Sequence, residues 1–137
     1  MVLSLSKDNI QVQREQDVVL LRNRVKEVAV KIKMGLLNQT KLITGASELV
    51  RNMLKYAKGG KVRIEVLSNG RESGIRLIFE DSGPGIPDIP QAMQDGFTTG
   101  RSMGLGLPGT RRLMNEFDIR SEVGKGTTVT VIKWKNG

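Results

Sequence analysis

The sequence predicts an α+β fold: a two-layer sandwich in which a mixed, mainly antiparallel sheet carries helices on one face. Two observations lead to this prediction. Apolar residues recur at three- and four-residue steps in the first part of the chain, and the period changes to two in the later part. With 137 residues, the chain has the length of one domain covering residues 1–137, which can bury roughly two-thirds of its unfolded surface.

The first part of the chain predicts a strand followed by two helices. Residues 10–14 alternate apolar and polar side chains, as in a half-buried strand. The helical period begins at Asp17 and predicts an amphipathic helix that ends near Gly35, where glycine would supply the C-terminal cap. A second helix is predicted from Asn38, a favourable N-cap residue, to Lys58.

The later part of the chain predicts two hairpins. Residues 62–66 and 75–80 alternate in polarity on either side of a turn-forming segment, so they should pair. A short helix is expected from residue 107 or 108 to about 117. Residues 119–123 and 127–135 then predict a second hairpin. Between the hairpins, residues 82–106 contain six glycines and three prolines without periodicity, which indicates a long functional loop or lid.

Composition excludes several kinds of chemistry. The chain has no cysteine and no histidine, so disulfides, thiolate chemistry, histidine metal sites and phosphohistidine chemistry are ruled out. Its longest apolar run, Val18–Leu21, is far shorter than the ~20 residues of a membrane span. The first residues lack the pattern of a secretory signal, and a cytoplasmic protein is expected.

The net charge of +8 raises the question of a nucleic-acid partner. Lys and Arg are scattered along the chain, and aromatic residues suited to base stacking make up only 4%. Scattered charge is typical of a solvated surface, so no nucleic-acid partner is predicted. An acidic ligand or an acidic partner protein explains the sign of the charge equally well.

The second predicted helix carries a carboxylate and a carboxamide one turn apart. Glu48 and Asn52 are roughly 40° apart around the helix axis, at the edge of its apolar stripe, and Tyr56 continues the row. An Asn carbonyl oxygen suits a hard cation such as Mg²⁺, and Glu48 could orient water or accept a proton. Lys55 could contact a phosphate. The alternative is an exposed polar edge on an ordinary helix.

Asp81 follows the predicted strand 75–80 and begins a glycine-containing turn. A carboxylate at a strand end can accept a hydrogen bond from an adenine amino group, and Gly83 and Gly85 would let the backbone approach a ligand closely. The spacing is neither that of a Walker loop nor that of a dinucleotide fingerprint. The alternative is an ordinary turn.

A second glycine segment, Gly104–Leu107, directly precedes the short helix. Free amides at a helix start form an anion site, although a helix-entry loop that merely needs glycine explains the pattern as well. Phe97, Thr98, Thr99 and Arg101 would lie on a lid over the phosphates. Thr127 begins the last strand and could place a hydroxyl beside Asp81.

Taken together, these motifs resemble, in order and spacing, the ATP-binding boxes of the gyrase/histidine-kinase/mismatch-repair (GHKL) ATPase superfamily. The resemblance covers residues 10–135 and implies an ATP·Mg²⁺ site in the Bergerat α/β sandwich. It assigns Glu48 as the candidate catalytic base, Asn52 as the Mg²⁺ ligand and Asp81 as the residue that recognises adenine. The positions implied for nucleotide binding are Asn52, Lys55, Tyr56, Asp81, Gly83, Gly85, Ile86, Phe97, Thr98, Thr99, Gly100, Arg101, Gly104, Leu105, Gly106, Leu107 and Thr127.

Within the superfamily, the chain looks similar to the small bacterial serine/threonine kinases of partner-switching pathways. Residues 47–52 and 104–117 and the terminal Lys-Trp-Lys resemble the RsbT type, the stressosome switch kinases. This resemblance implies STAS-domain proteins as substrates and a phosphatase of the RsbU type as a second partner.

Three other functions of the same superfamily are alternatives to this one. An anti-sigma factor kinase of the RsbW/SpoIIAB type is the main alternative. A histidine kinase would need a phosphorylatable histidine, which this chain lacks. A nucleotide-binding scaffold without transfer activity is disfavoured because Glu48 and Asn52 are both present.

Overall fold

The computed structural model describes residues 1–94 and 106–137, which form a five-stranded sheet with helices packed on one face. The strands lie in the order β1-β2-β3-β5-β4, and all four described pairings are antiparallel. The expected α+β sandwich is therefore confirmed. The sheet was predicted to be mixed and mainly antiparallel, and its described strand pairs are all antiparallel. The elements in chain order are β1 (Leu3–Val12), α1 (Glu15–Lys31), α2 (Leu36–Ala57), β2 (Gly60–Ser68), β3 (Ser73–Asp81), α3 (Ile89–Ala92), α4 (Gly106–Leu113), β4 (Glu116–Glu122) and β5 (Gly126–Trp134).

The core lies between the sheet and the two long helices. Alternate side chains of the strands point to the helices, because successive residues of a strand face opposite sides of a sheet. Ile64, Leu77 and Val131 form neighbouring positions of this inner face and are almost fully buried. They pack with the apolar stripes of α1 and α2, which include Leu21 and Val50. Burying side chains of this size stabilises the fold by roughly 1.5–3 kcal/mol each.

The junction between α1 and α2 differs from the prediction. Helix α1 ends at Lys31, and Lys33 adopts the left-handed conformation (φ 63°) without a glycine. Gly35 is the N-cap of α2 and not the C-cap of α1. Asn38 lies inside the first turn of α2, where its Nδ2 donates a hydrogen bond to the Lys135 carbonyl (3.2 Å). A tertiary contact thus replaces the capping role that the local sequence suggested.

Strand β1 begins earlier than predicted and ends at Val12, not at residue 14. Its first part is exposed at the sheet edge and is held by backbone pairing with β2, so it carries little alternation in polarity. Residues 13 and 14 instead cap α1. The Asp17 carboxylate accepts hydrogen bonds from the amides of Gln13 (2.8 Å) and Arg14 (3.0 Å).

The segment after β3 also differs in detail. One helical turn, α3, lies within the predicted loop, and Asp88 caps it by accepting a hydrogen bond from the Gln91 amide (3.0 Å). Helix α4 ends at Leu113, four residues before the predicted end near 117. It ends there because Phe117 already pairs with Val131 in the sheet. No helix among the described residues is long and apolar enough to cross a membrane.

Candidate nucleotide-binding site

A cavity of about 340 Å³ lies between α2, α3, the start of α4 and the inner face of β3, β4 and β5. This volume is in the range of small-molecule sites. Its apolar part is formed by Leu49, Met53, Phe79, Ile119 and Val129. Its polar side chains include Asn52, Asp81 and Thr127. An apolar cleft with a few polar groups suits a flat heterocycle that carries hydrogen-bonding edges.

The orientation of Asp81 is fixed by backbone amides from two segments. Its Oδ1 accepts hydrogen bonds from the amide of Gly83 (2.9 Å) and from the amide of Thr127 (3.2 Å). Among the described residues, Oδ2 receives no hydrogen bond from the protein, and Asp81 lines the cavity. The carboxylate therefore has a free acceptor for a ligand.

The glycines after Asp81 are required by the packing of their own loop. A Cβ on Gly83 would lie 2.6 Å from the Ala57 Cβ on α2. Gly85 has φ +79°, and a Cβ there would lie 2.5 Å from the Glu122 carbonyl oxygen. The loop is thereby pressed against α2 and against the β4–β5 turn. Gly85 and Ile86 line the cavity.

Glu48 and Asn52 occupy different environments although they are one turn apart on α2. Asn52 is half-buried and lines the cavity. Glu48 was expected at the edge of the apolar stripe, but it is only 4% exposed. Thr110 of α4 and Met114, just after it, pack against Gly45, three residues before Glu48 on α2.

The burial of Glu48 is not compensated by hydrogen bonds to both carboxylate oxygens. Its Oε1 has no hydrogen-bond partner among the described residues. An unsatisfied buried acceptor costs about 1–3 kcal/mol, and more when it is charged. Such an atom is typical of a functional site, where a ligand or water supplies the missing donor.

Lys55 and Tyr56 lie at the outer side of the cavity. Tyr56 lines it and is 41% exposed. The Lys55 Nζ lies 5.3 Å from the Tyr56 ring centroid, within the range of a cation–π contact. Lys55 itself is exposed and is not part of the cavity lining.

Of the predicted phosphate-binding segment, only its end belongs to the described part of the chain. Gly106 (φ 57°) and Leu107 begin α4 and line the cavity. The Thr110 hydroxyl donates to the Gly106 carbonyl (2.9 Å), which secures this first turn. The predicted lid and loop residues Phe97, Thr98, Thr99, Gly100, Arg101, Gly104 and Leu105 lie outside the described residues.

Sequence reasoning missed Ser121, Asp88 and Gln91. Asp88 and Gln91 line the cavity from α3, the helical turn that was not predicted. Ser121 lies on the inner face of β4, opposite Thr127 on β5. Ser121 could have been found from the sequence, because it is a small polar residue at a position of the predicted strand that alternation places on the inner face.

Comparison with known proteins agrees with this arrangement. The family described as histidine kinase-, DNA gyrase B-, and HSP90-like ATPase matches residues 37–136. The serine/threonine-protein kinase RsbT of Bacillus subtilis is 42% identical over 125 residues, which cover 91% of this chain and 94% of that protein. The anti-sigma F factor of Geobacillus stearothermophilus is 36% identical over 101 residues, covering 69% of this chain and 68% of that protein.

Two solved structures share the fold. The RsbU and RsbW domains of a Mycobacterium tuberculosis protein superpose with a TM-score of 0.66 at 20% identity, covering 93% of this chain and 31% of that chain. The mycobacterial sensor histidine kinase MprB gives a TM-score of 0.54 at 17% identity, covering 94% of this chain and 97% of that chain.

Fold, cavity and similarity lead to the same class of protein. The chain belongs to the histidine kinase-, DNA gyrase B-, and HSP90-like ATPase family, and within it to the RsbT-type serine/threonine-protein kinases. Its similarity to both RsbT and anti-sigma factors supports an ATP-using kinase of a partner-switching pathway.

Proposed function

We propose that this kinase transfers the γ-phosphate of ATP to a serine or threonine of a STAS-domain stressosome protein. When released from that protein, it would bind and activate a phosphatase of the RsbU type in the cytoplasm. The observation that carries the proposal is the 42% identity to RsbT across 91% of the chain. We take residues 1–137 as one kinase domain with a lid over about residues 86–106.

The adenine would lie in the apolar part of the cavity, with its amino group at Asp81. This assignment is supported by the Asp81 carboxylate: two amides hold its Oδ1, and its Oδ2 accepts no hydrogen bond from the part of the chain that the structure describes. Phe79 and Ile119 would flank the ring. The triphosphate would then extend toward Asn52 and the start of α4, where Gly106 and Leu107 line the same cavity.

Asn52 is the proposed ligand for Mg²⁺. The described residues contain no cluster of three or more acidic, His or Cys side chains that could hold a metal without help. A single amide oxygen facing a nucleotide cavity fits Mg²⁺, which keeps water and phosphate oxygens as most of its ligands. When bound, Mg²⁺ would neutralise charge on the phosphates.

Glu48 is the proposed partner of the substrate hydroxyl. In the transfer, the hydroxyl oxygen forms a bond to the γ-phosphorus while the bond from that phosphorus to the β,γ-bridging oxygen breaks. The transition state is loose, so alignment of the hydroxyl contributes more than early removal of its proton. The Glu48 carboxylate, whose Oε1 has no hydrogen-bond partner among the described residues, would accept the hydroxyl's hydrogen bond and finally its proton.

The surface between α1 and α2 supports an acidic protein partner. A groove there is lined by Val19, Leu36 and Ile43 together with Arg22 and Lys26, and the described residues of its lining include no acidic one. Val19 and Leu36 are 57% and 76% exposed. Exposed apolar side chains beside cations are typical of a protein-binding surface for a partner of opposite charge.

The direct test is incubation with γ-labelled ATP, Mg²⁺ and a purified STAS-domain protein, followed by mapping of the phosphorylated residue. Label should appear on a serine or threonine of the STAS protein, and none should remain on this chain. Label that stays on this chain, or no transfer to any STAS protein, would contradict the proposal.

The second candidate is an anti-sigma factor that also phosphorylates an anti-anti-sigma STAS protein. The similarity to anti-sigma F factors favours it, although that similarity covers a smaller part of the chain. Pull-down with a purified sigma factor, compared with STAS and phosphatase partners, separates the two candidates. Retention of the sigma factor would favour the second.

A further inference from the structure

Ser121 connects three parts of the candidate site through one hydroxyl group. Its Oγ accepts a hydrogen bond from the Ile86 amide (2.7 Å) in the loop after β3. It also lies 2.7 Å from the Thr127 Oγ1 and 3.1 Å from the Gly126 carbonyl oxygen. Ser121 does not line the cavity, whereas Ile86 and Thr127 do.

The number of protons on these groups constrains the direction of the Ser121–Thr127 hydrogen bond. A serine hydroxyl has one proton and two lone pairs. The Ile86 amide uses one lone pair. All three contacts are satisfied at once when the Thr127 hydroxyl donates to Ser121 and Ser121 donates to the Gly126 carbonyl. Buried polar groups favour the arrangement that satisfies most of them.

In this arrangement Thr127 turns its proton away from the cavity and presents only lone pairs to a ligand. Asp81, paired with Thr127 across β3 and β5, also presents an acceptor. Two acceptors side by side favour a ligand edge that carries an amino group and disfavour one that carries a carbonyl.

We propose that Ser121 is a positioning residue that orients the Thr127 hydroxyl and thereby contributes to the preference for a 6-aminopurine over a 6-oxopurine nucleotide. The inference rests on the proposed nucleotide site and adds a source of base selectivity to it. ITP is the suitable probe because it differs from ATP in the 6-position group and the protonation of N1.

The test compares KM and kcat for ATP and for ITP in the wild type and in the Ser121→Ala and Ser121→Thr variants. In Ser121→Ala, the KM for ATP should rise about fivefold, the size expected for one neutral hydrogen bond, with a smaller change in kcat. The KM ratio of ITP to ATP should fall, because the freed Thr127 hydroxyl can donate to a carbonyl. Ser121→Thr keeps the hydroxyl and should restore both values.

Thr128→Ala is the matched control, since it removes a hydroxyl on the next residue of β5, which pairs with Arg120 and faces away from the cavity. It should leave both KM values unchanged. An unchanged KM for ATP in Ser121→Ala overturns the inference. An equal loss of affinity for ATP and ITP also overturns it, since that result means that Ser121 only secures the Ile86 loop. The wild-type measurement separates this inference from the proposed function. If wild type does not bind ATP, the proposed function is wrong. If wild type binds ATP and only the Ser121 variants fail the test, the inference alone is wrong.

Discussion

Glu48 and Asn52 lie one turn apart on α2, yet Asn52 lines the cavity while Glu48 is buried, with no hydrogen-bond partner for its Oε1 in residues 1–94 and 106–137. Asn52 is thus accessible from the cavity, whereas Glu48 is almost completely shielded from solvent. In the proposed reaction, Asn52 would bind the cation and Glu48 would receive the substrate hydroxyl. Burial of an incompletely paired carboxylate lowers stability, which is typical of residues kept for function.

Replacing Glu48 by Gln should reduce phosphoryl transfer about 100-fold or more, because the amide oxygen aligns the hydroxyl less strongly than a carboxylate and cannot accept its proton. ATP binding and the thermal midpoint should stay the same, or the midpoint should rise, since the substitution changes an incompletely hydrogen-bonded buried group. Transfer to a STAS-domain protein and nucleotide titration measure the two effects. Glu116→Gln, an exposed position on β4, is the control. Full activity of Glu48→Gln would exclude the proposed role.

Replacing Asp81 by Asn should preserve the fold but weaken ATP binding by about tenfold or more. The Asn carbonyl can still accept from the Gly83 and Thr127 amides, while its NH₂ group would meet the adenine amino group as a second donor. Loss of a hydrogen bond to a charged acceptor corresponds to roughly 1.5–3 kcal/mol. Calorimetric titration with ATP measures the change, and an affinity equal to wild type would place the adenine elsewhere.

The protein should lose stability in acid, in part because the stabilising contribution of Glu65 is lost there. This carboxylate lies on the sheet face away from the helices and is 2% exposed. Burial raises the pKa of Glu65, but the hydrogen bond from Arg76 (2.6 Å), its charge, Ser4 and Lys7 outweigh burial and hold the pKa below its ordinary 4.5.

Because this pKa is lower in the folded state than in the unfolded state, the contribution of Glu65 is present above about pH 4.5 and is lost as the pH falls through the folded-state pKa. Urea unfolding from pH 7 to pH 3 should show a smaller loss of stability for Glu65→Gln than for wild type. Glu80→Gln, a half-exposed carboxylate on β3, is the control. Equal pH dependence for Glu65→Gln and wild type would refute the prediction.

Reversing the charge of the α1–α2 groove should weaken binding of the protein partner and leave ATP binding unchanged. The double variant Arg22→Glu, Lys26→Glu is expected to bind an acidic STAS-domain protein about tenfold more weakly, mainly through slower association. Lys31→Glu, an exposed position on α1 outside the groove, should have a much smaller effect. Surface plasmon resonance at two salt concentrations measures the association rates. Equal weakening by Lys31→Glu would mean that net charge, and not the groove, attracts the partner.

The fold could be predicted from the sequence where side-chain periodicity is strong. Helix α2 and the β2–β3 hairpin follow from apolar spacing because one side of each is buried against the core. The start of β1 could not be predicted, since an exposed edge strand is held by backbone hydrogen bonds that leave no pattern of polarity. Asn38 was misassigned as a cap because its partner, the Lys135 carbonyl, is distant in sequence.

The candidate site was predictable to a similar degree. The juxtaposition of Asn52, Asp81 and Thr127 in one cavity was expected because their motifs resemble the ATP-binding boxes of the GHKL superfamily. The burial of Glu48 could not be predicted, because it depends on tertiary packing around α2 and not on the helical period of its sequence. The contact of Ser121 with Thr127 depends on the register of β4 and β5, which local sequence does not determine.

Asn52 is proposed to anchor the cation of an ATP site in this cavity. The most direct measurement is the Mg²⁺ dependence of γ-phosphate transfer to a STAS-domain protein by wild type, Asn52→Asp and Asn52→Ala, with circular dichroism to verify folding. We predict that Asn52→Ala is folded but inactive at every Mg²⁺ concentration, and that Asn52→Asp keeps part of the activity. A folded Asn52→Ala protein with wild-type transfer would contradict the account.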